Sequence, residues 1–341
     1  KLLTTNLPFA GTFHSLCAKI LRIEGKHIGL SPNFVIYDED DQLEIVKTAM
    51  KNLDISTKNF NPSSVLTTIS SAKNELISAT EYPQYARGYF QETVARIYLE
   101  YQKILKENQA LDFDDLLTEM VRLFQKNPEI LAKYQDRFRY ILVDEYQDTN
   151  HAQYALAKLL AGRWKNICVV GDASQSIYSW RGADFRNLLS FQQDYPNLKV
   201  FNLEQNYRST QKILDAAYSI ISQNRSNPIL KLWTKNPDGE KIFLYEARNE
   251  HDEAEFIVKQ ITSYSLTNFA VLYRTNAQSR VIEEVFLHAG VPYILVGGTR
   301  FYERREIKDV LAYLRLLVNP KDMVSYKRIE KLGKGRLEKF L

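Results

Sequence analysis

The chain has 341 residues, of which 45% are hydrophobic and 25% are charged. This length exceeds one ordinary core, and the composition argues against a disordered chain, so we expect two or three packed units. Lysine and arginine together number 45 and acidic residues 41, so the net charge of +4 gives no global positive field that would indicate nucleic acid. A single-strand site would need a local set of basic and aromatic side chains, although most aromatic rings in any protein serve core packing.

The first third of the chain is predicted to be helical. Apolar positions at helical spacing predict a helix over residues 12–23, and residues 38–119 read as several helices without convincing strand alternation. Polar breaks near 61–64 and 82–83 separate these helices. We interpret this stretch as a helical insertion.

An alternation of strands and helices follows. A short apolar run at 140–145 ends in two acids and predicts a buried parallel strand, a helix follows over 153–160, and a second such strand is predicted at 167–172. Ligands bind at the carboxyl ends of strands in open α/β sheets, which is where these acids lie.

A second α/β unit is predicted further along the chain. Its candidate strands are 199–203, 242–244 and 269–273, and its candidate helices start near Thr210 or cover 251–262 and 277–289. Residues 306–341 are helical and charged, with a break at 319–320.

The two cysteines, Cys17 and Cys168, lie far apart and outside any CxxC spacing. The sequence therefore predicts neither a disulfide framework nor a zinc site. No apolar stretch is long enough to span a bilayer, and the first residues lack the architecture of a signal peptide. We expect a cytoplasmic protein with no membrane partner.

The acidic pair Asp144 and Glu145, delivered by an apolar strand, suits nucleotide hydrolysis. The first carboxylate can hold Mg²⁺ through hard oxygens, and the second can orient and polarise an attacking water. A bare acidic pair is also common where a strand end meets solvent, so this pattern alone does not decide.

The segment GDASQSIYSWRG at 171–182 gathers amide, aromatic and guanidinium groups in one strand-to-helix loop. Gln175 can sense a terminal phosphate. Tyr178, Trp180 and Arg181 offer stacking faces and a phosphate partner to a single strand. One loop would then contact both ligands.

Six segments together resemble successive motifs of the UvrD/Rep/PcrA family of superfamily 1 DNA helicases, in order and in spacing. They read GTFHS at 11–15, LDFDDL at 111–116, DEYQDTN at 144–150, the loop at 171–182, EQNYRST at 204–210 and YRTNAQSR at 273–280. The resemblance runs nearly end to end. It implies an α/β fold of RecA-like P-loop NTPase lobes, with parallel sheets flanked by helices, and an inserted all-helical subdomain.

The resemblance also implies a domain plan. Residues 1–28 and 108–207 would form a first, incomplete lobe, residues 29–107 the helical insertion, residues 208–305 part of a second lobe, and residues 306–341 the start of a second insertion.

By the same resemblance, five residues serve the nucleotide. Asp144 binds Mg²⁺, Glu145 activates water, Gln175 contacts the γ-phosphate of ATP, and Arg208 is an arginine finger that stabilises transferred charge. Tyr207 stacks on the adenine, unless its ring only closes the gap between two domains.

Seven residues are expected to contact DNA. Phe113, Tyr178 and Trp180 would stack on bases, and Thr12, His14, Arg181 and Asn276 would contact the strand. His14 has two alternatives, a helix cap or a satisfied core imidazole. Phe113 lies between two aspartates, which favours exposure, whereas Arg274 and Arg280 are left undecided between DNA contact and a solvated face.

The sequence departs from the family at the phosphate-binding loop. The string GxxxxGK[ST], whose amides and lysine cradle the nucleotide, does not occur, and the family's last motifs are not found either. We therefore expect the chain to be an internal part of a complete, longer helicase. By itself the chain is expected to show no ATP turnover.

The leading hypothesis is a motor that uses ATP and Mg²⁺ to move 3′ to 5′ on single-stranded DNA and to open duplexes at single/double-strand junctions, with repair or replication proteins as possible partners. One alternative is a non-catalytic module that binds single-stranded DNA. Another is the motor part of a recombination nuclease-helicase. The retained Asp144, Glu145, Gln175 and Arg208 favour the motor.

Overall fold

The computed structural model describes residues 8–179, 182–224, 229–261, 266–296 and 305–333. Within these ranges the helices are α1 (Phe13–Glu24), α2 (Glu39–Asn52), α3 (Pro62–Asn74), α4 (Tyr89–Glu107), α5 (Phe113–Lys126), α6 (Pro128–Arg137), α7 (His151–Ala161), α8 (Arg186–Asp194), α9 (Gln211–Ile221), α10 (Glu250–Ile261), α11 (Asn276–His288), α12 (Arg305–Val318) and α13 (Met323–Leu332). The strands are β1 (Val35–Tyr37), β2 (Ala110–Asp112), β3 (Ile141–Val143), β4 (Ile167–Val169), β5 (Gln205–Asn206) and β6 (Trp233–Thr234).

The chain divides into two compact units. The first consists of Lys1–Phe201, Ser226–Ile229 and Arg305–Leu341, and the second of Asn202–Arg225 and Leu230–Arg304. The described strands form three two-stranded parallel sheets, two in the first unit and one in the second. The architecture is therefore α/β and rich in helix.

Two separate apolar cores stabilise the first unit. One is built from α2, α3 and α4 and is centred on side chains such as Val46, Ile69 and Tyr101. The other packs α1, α5, α6 and α7 together through side chains such as Leu21 and Leu117. The predicted helix at 12–23 is confirmed as α1, because its apolar positions meet this second core.

Local capping explains where several of these helices begin. Asp38 and Asp112 each accept a hydrogen bond from a backbone amide of the first turn and complete a capping box, at the start of α2 and α5 respectively. At α3, Asn61 is the cap and Pro62 occupies the first turn, where its missing N–H costs nothing.

The strands β3 and β4 confirm the two predicted parallel strands, with Leu142 opposite Cys168. The expectation that they are buried is wrong, because Leu142 is 79% exposed and no described element covers this face. The reading of 38–119 as free of strands is also wrong, because β2 pairs in parallel with β1. A strand of three residues is too short to show alternation in the sequence. The strand β2 forms because it pairs with β1.

The second unit contains α9, α10 and α11, with β5 and β6 as its only strands among the described residues. The predicted strands at 199–203, 242–244 and 269–273 are not formed. A strand needs a hydrogen-bonded neighbour, and none is present here among the described residues. Several of the side chains are exposed, as for Leu244 at 91%.

The helices α12 and α13 belong to the first unit and pack against its earlier residues. The fully buried Asp322 accepts a hydrogen bond from the Tyr37 hydroxyl at 2.5 Å, and Asn319 donates to the Asn108 carbonyl at 2.7 Å. An ion pair of 2.7 Å joins Arg315 to Asp41. The predicted break at 319–320 is confirmed, because α12 ends at Val318.

Both cysteines are free thiols. Among the helices in the described ranges, none is both long and apolar enough to cross a membrane.

Candidate functional site

The carboxyl ends of β3 and β4 lie side by side because the two strands are parallel and in register. Asp144 and Glu145 follow β3 directly, and Asp172 lies three residues beyond β4. The amide of Tyr146 donates to the carbonyl of Val170 at 2.9 Å, which keeps the two chain segments together beyond the strands. This edge is where an α/β sheet offers groups to a ligand.

Glu145 adopts a left-handed backbone conformation, with φ +50° and ψ +42°. For a residue other than glycine this conformation costs on the order of 1 kcal/mol and persists only where the surroundings impose it. The side chain is exposed, but Gln147 donates from Nε2 to its Oε2 at 2.8 Å. The carboxylate is therefore accessible and held in one orientation.

Gln147 is buried and connects the loop that follows β3 to the loop that follows β4. Its Oε1 accepts from the amide of Asp172 at 3.0 Å, and the carboxylate of Asp172 accepts from Gln175 Nε2 at 3.0 Å. Gly171 is needed beside it, because a Cβ at that position would lie 2.8 Å from Gln147 Oε1. A continuous chain of hydrogen bonds thus joins Glu145 to Gln175, two residues predicted separately from sequence.

The electrostatic character of this edge is negative. Burial, and then the charge of Glu145, raise the pKa of Asp148 above its usual range. The exposed Asp144 accepts the amide of Glu145 through Oδ1 at 3.0 Å and keeps its other oxygen for a ligand.

These carboxylates fit Mg²⁺, which binds proteins through one or two carboxylates and completes its shell with phosphate oxygens and water. Across the described residues no group of three or more His, Cys, Asp or Glu side chains forms a closed metal cage. Asp144 would therefore hold the ion in an open site, with Glu145 beside it.

A second cluster contains three of the predicted DNA contacts. Phe113 begins α5 and is 47% exposed, in agreement with the sequence-based expectation. His14 meets the Phe113 ring edge-on, with 5.9 Å between ring centroids, and burial lowers the pKa of this imidazole. The reading of His14 as a helix cap is wrong, because Thr12 caps α1 by accepting the amide of Ser15 at 3.2 Å.

The loop of residues 171–182 is described in part. Tyr178 is 42% exposed, and its carbonyl accepts from the amide of Ala183 at 3.3 Å. The two other predicted contacts of this loop, Trp180 and Arg181, lie outside the described residues.

Three further predicted residues belong to the second unit. Tyr207 and Arg208 are exposed, and the amide of Arg208 is held by the side chain of Asn206 at 2.9 Å. Asn276 is exposed at the start of α11, directly after its cap Thr275. The approach of Arg208 to Glu145 stays a prediction.

Sequence reasoning missed a buried cation. Lys73 is 1% exposed and donates to Asp112 Oδ2 at 2.6 Å and to Asp115 Oδ1 at 2.7 Å. The pattern contained an indication, because Val65, Ile69 and Lys73 repeat every four residues on one buried helix face. A lysine at such a position needs a buried anion.

The ionisation of these three groups is interdependent. Burial opposes the charge of Lys73, but the two carboxylates outweigh it and raise the lysine pKa. Burial likewise opposes ionisation of Asp112, and the ammonium outweighs it and lowers that pKa. Burial together with the charge of Asp112 raises the pKa of Asp115 to about 7.

Comparison with known proteins identifies the family of this chain. Residues 4–196 match the UvrD/REP helicase N-terminal domain, and residues 201–339 match the UvrD-like helicase C-terminal domain. The chain belongs to the UvrD/Rep helicase family. The RecA-like α/β fold of this family agrees with the parallel pair β3 and β4, whereas the bounds of the lobes and of the helical insertions stay predictions.

Similar proteins of this family include PcrA helicases from several bacteria. The chain is 52% identical to the ATP-dependent DNA helicase PcrA of Bacillus subtilis (strain 168) over 329 residues, which cover 95% of this chain and 44% of the relative. It is 50% identical over 323 residues to the PcrA proteins of Staphylococcus aureus (strain Mu50) and Staphylococcus epidermidis, at 93% of this chain and 44% of each relative. The chain therefore spans less than half the length of these helicases.

Proposed function

We propose that the protein containing this chain is an ATP-dependent DNA helicase that hydrolyses ATP with Mg²⁺ and moves 3′ to 5′ on single-stranded DNA. The observation that carries the proposal is the hydrogen-bonded chain from Glu145 through Gln147 and Asp172 to Gln175. It joins Glu145, which we propose to activate water, to Gln175, which we propose to contact the phosphate, at one sheet edge. Membership in the helicase family supports the same reading.

In the proposed mechanism each polar group has one task. Asp144 holds Mg²⁺, which supplies positive charge to the phosphates when bound. Glu145 orients the attacking water, Gln175 contacts the γ-phosphate, and Arg208 stabilises the charge that develops on the transferred phosphoryl group. Tyr207, with its ring in solvent, stacks on the adenine.

The proposed DNA path uses aromatic stacking and short polar contacts. Phe113, Tyr178 and Trp180 would stack on successive bases, which tolerates any sequence because every base has a π face. The strand contacts would come from Thr12, His14, Arg181 and Asn276. The substrates would be single strands and single/double-strand junctions, encountered in the cytoplasm with repair or replication proteins.

A second candidate is a non-catalytic module that binds single-stranded DNA. The two candidates differ in whether the protein containing this chain carries GxxxxGK[ST], because that loop binds the phosphates of the nucleotide. The retained Asp144, Glu145, Gln175 and Arg208 oppose the second candidate, because a module that only binds DNA has no physical need for that set.

Phosphate release decides between the two candidates. The full-length protein that contains this chain would be expressed and assayed for phosphate release with and without oligo-dT. Its Glu145→Gln variant is the matched control. The helicase predicts release that depends on DNA and is lost in the control, whereas equal release in both proteins would refute it. The 341-residue chain alone is expected to give no release above the control, and a duplex with a 3′ tail should be opened in preference to one with a 5′ tail.

A further inference from the structure

Asn74 is the last residue of α3 and is buried where two segments of the site meet. Its Oδ1 accepts a hydrogen bond from Asn150 Nδ2 at 2.6 Å. Asn150 caps α7, which begins a few residues after Glu145. The first contact of Asn74 is thus with the segment that carries the water-activating carboxylate.

The second contact of Asn74 is with Gly182, the residue that closes the loop of residues 171–182. Gly182 has φ +82°, and a Cβ there would lie 2.8 Å from Asn74 Nδ2. The amide of Gly182 also donates to the carbonyl of Ser179 at 3.0 Å, which ties it to the segment that carries Tyr178. Asn74 therefore touches the loop assigned to DNA as well.

The preceding residue extends this junction to Phe113. Lys73 holds Asp112 and Asp115, the two members of the α5 capping box, and Phe113 lies between them in sequence. Tyr101 adds a hydrogen bond to Asp112 at 2.8 Å. The end of α3 thus holds the Phe113 segment through Lys73. It contacts Asn150 and Gly182 through Asn74.

Other bonds hold the same segments without Asn74. The carbonyl of Thr149 accepts from the amide of Asp184 at 3.0 Å and from Asn187 Nδ2 at 2.8 Å. Loss of the Asn74 side chain should therefore change the alignment of the segments without unfolding them. This separates a positioning role from a purely structural one.

We infer that Asn74 is a positioning residue that couples DNA binding at Phe113 and Tyr178 to water activation at Glu145. The inference rests on the proposed helicase function. A movement of the Gly182 segment on contact with DNA would pass through the Asn74 amide to Asn150 and to the start of α7. The coupling is carried by contiguous packed and hydrogen-bonded groups.

The test measures ATP hydrolysis by the Asn74→Ala variant, expressed at the length of the PcrA relatives, with and without oligo-dT. The kcat with saturating oligo-dT should fall about tenfold or more, while the kcat without DNA and the KM for ATP stay within about twofold. Asn52→Ala is the matched control, because Asn52 also ends a helix and donates a side-chain hydrogen bond, to Glu100 at 2.8 Å. Asn52 is exposed, and this bond joins α2 to α4 and contacts neither site loop.

Two further variants test the hydrogen bond itself. Asn150→Ser keeps a good helix cap, but its short hydroxyl does not reach Asn74 as the Asn150 amide does, so it should reproduce the loss. Combining it with Asn74→Ala should add nothing further. Asn74→Asp keeps the acceptor for Asn150 and should restore most of the stimulation by DNA. A loss in Asn74→Asp equal to that in Asn74→Ala would overturn the assignment.

The remaining outcomes are distinct. Full stimulation by DNA in Asn74→Ala overturns the inference and leaves the proposed function standing. A parallel fall of both kcat values together with the melting temperature shows a structural role and also overturns it. No stimulation by DNA in the unsubstituted protein refutes the proposed function, and the inference with it.

Discussion

Replacing Lys73 by methionine should destabilise the first unit strongly. Methionine has a similar volume but no charge, so Asp112 and Asp115 would remain buried without the cation that lies 2.6 and 2.7 Å from them. Removing one partner of a buried ion pair costs about 3–5 kcal/mol, because the remaining charge is left uncompensated. This is a large share of the total stability of a typical domain, about 5–15 kcal/mol.

The cost should depend on pH in a defined direction. The folded-state pKa of Asp115 is about 7, above the value of an unfolded aspartate, because of burial and the charge of Asp112. Between the pKa of an unfolded aspartate and the higher folded-state pKa, the native state binds more protons than the unfolded chain. The free energy of unfolding therefore falls as the pH rises from the first value to the second. Without Lys73 both carboxyl pKa values rise further, and the penalty shrinks when the carboxyls take up protons.

Urea unfolding followed by far-UV circular dichroism measures this penalty. The difference between Lys73→Met and the unsubstituted chain should be largest near about pH 8 and clearly smaller near about pH 5.5. Lys47→Met is the control, because the ion pair of Lys47 with Glu44 is exposed on both sides and its loss should cost less than about 0.5 kcal/mol. Adding Asp112→Asn and Asp115→Asn to Lys73→Met should recover most of the loss, since asparagine still caps a helix.

A loss below about 1 kcal/mol at the higher pH would refute the reasoning, since it would mean that water or local opening already compensates these charges. A loss that grows as the pH falls would also refute it, because the carboxyls would then not be the groups that bear the cost.

Three other expectations follow from the geometry. Phe113→Ala should weaken the binding of dye-labelled oligo-dT about tenfold by loss of stacking, as measured by fluorescence anisotropy. Tyr85→Ala is the control: this residue lies between α3 and α4 in sequence and is 61% exposed, and the loss of its ring should leave the affinity unchanged. Glu145→Gln should lower the DNA-stimulated kcat about 100-fold or more without raising the KM for ATP, and an unchanged kcat would exclude Glu145 as the water-activating group. Asp322→Ala should cost about 2–3 kcal/mol, because the proton of the buried Tyr37 hydroxyl would lose its acceptor, and hydrogen exchange in α13 should become faster. Unchanged protection would show that this contact does not hold α13 on the rest of the first unit.

Several parts of this protein could be predicted from the sequence because their cause is local or lies in a motif. The helix α1 follows from apolar spacing, and the parallel strands β3 and β4 follow from short apolar runs that end in acids. The exposure of Phe113 follows from its acidic neighbours. Family membership follows from the order and spacing of the motifs, which the comparisons confirm.

Other parts were decided by tertiary structure alone. The strand β2 exists because β1 pairs with it, and the apolar run at 242–244 forms no strand because no described neighbour completes its hydrogen bonds. The partners of Lys73 and Asn74 lie 39 and 76 positions away at Asp112 and Asn150, beyond the reach of any local pattern. Periodicity shows which face of a helix is buried, but only the packed chain determines which distant group satisfies a buried charge or amide.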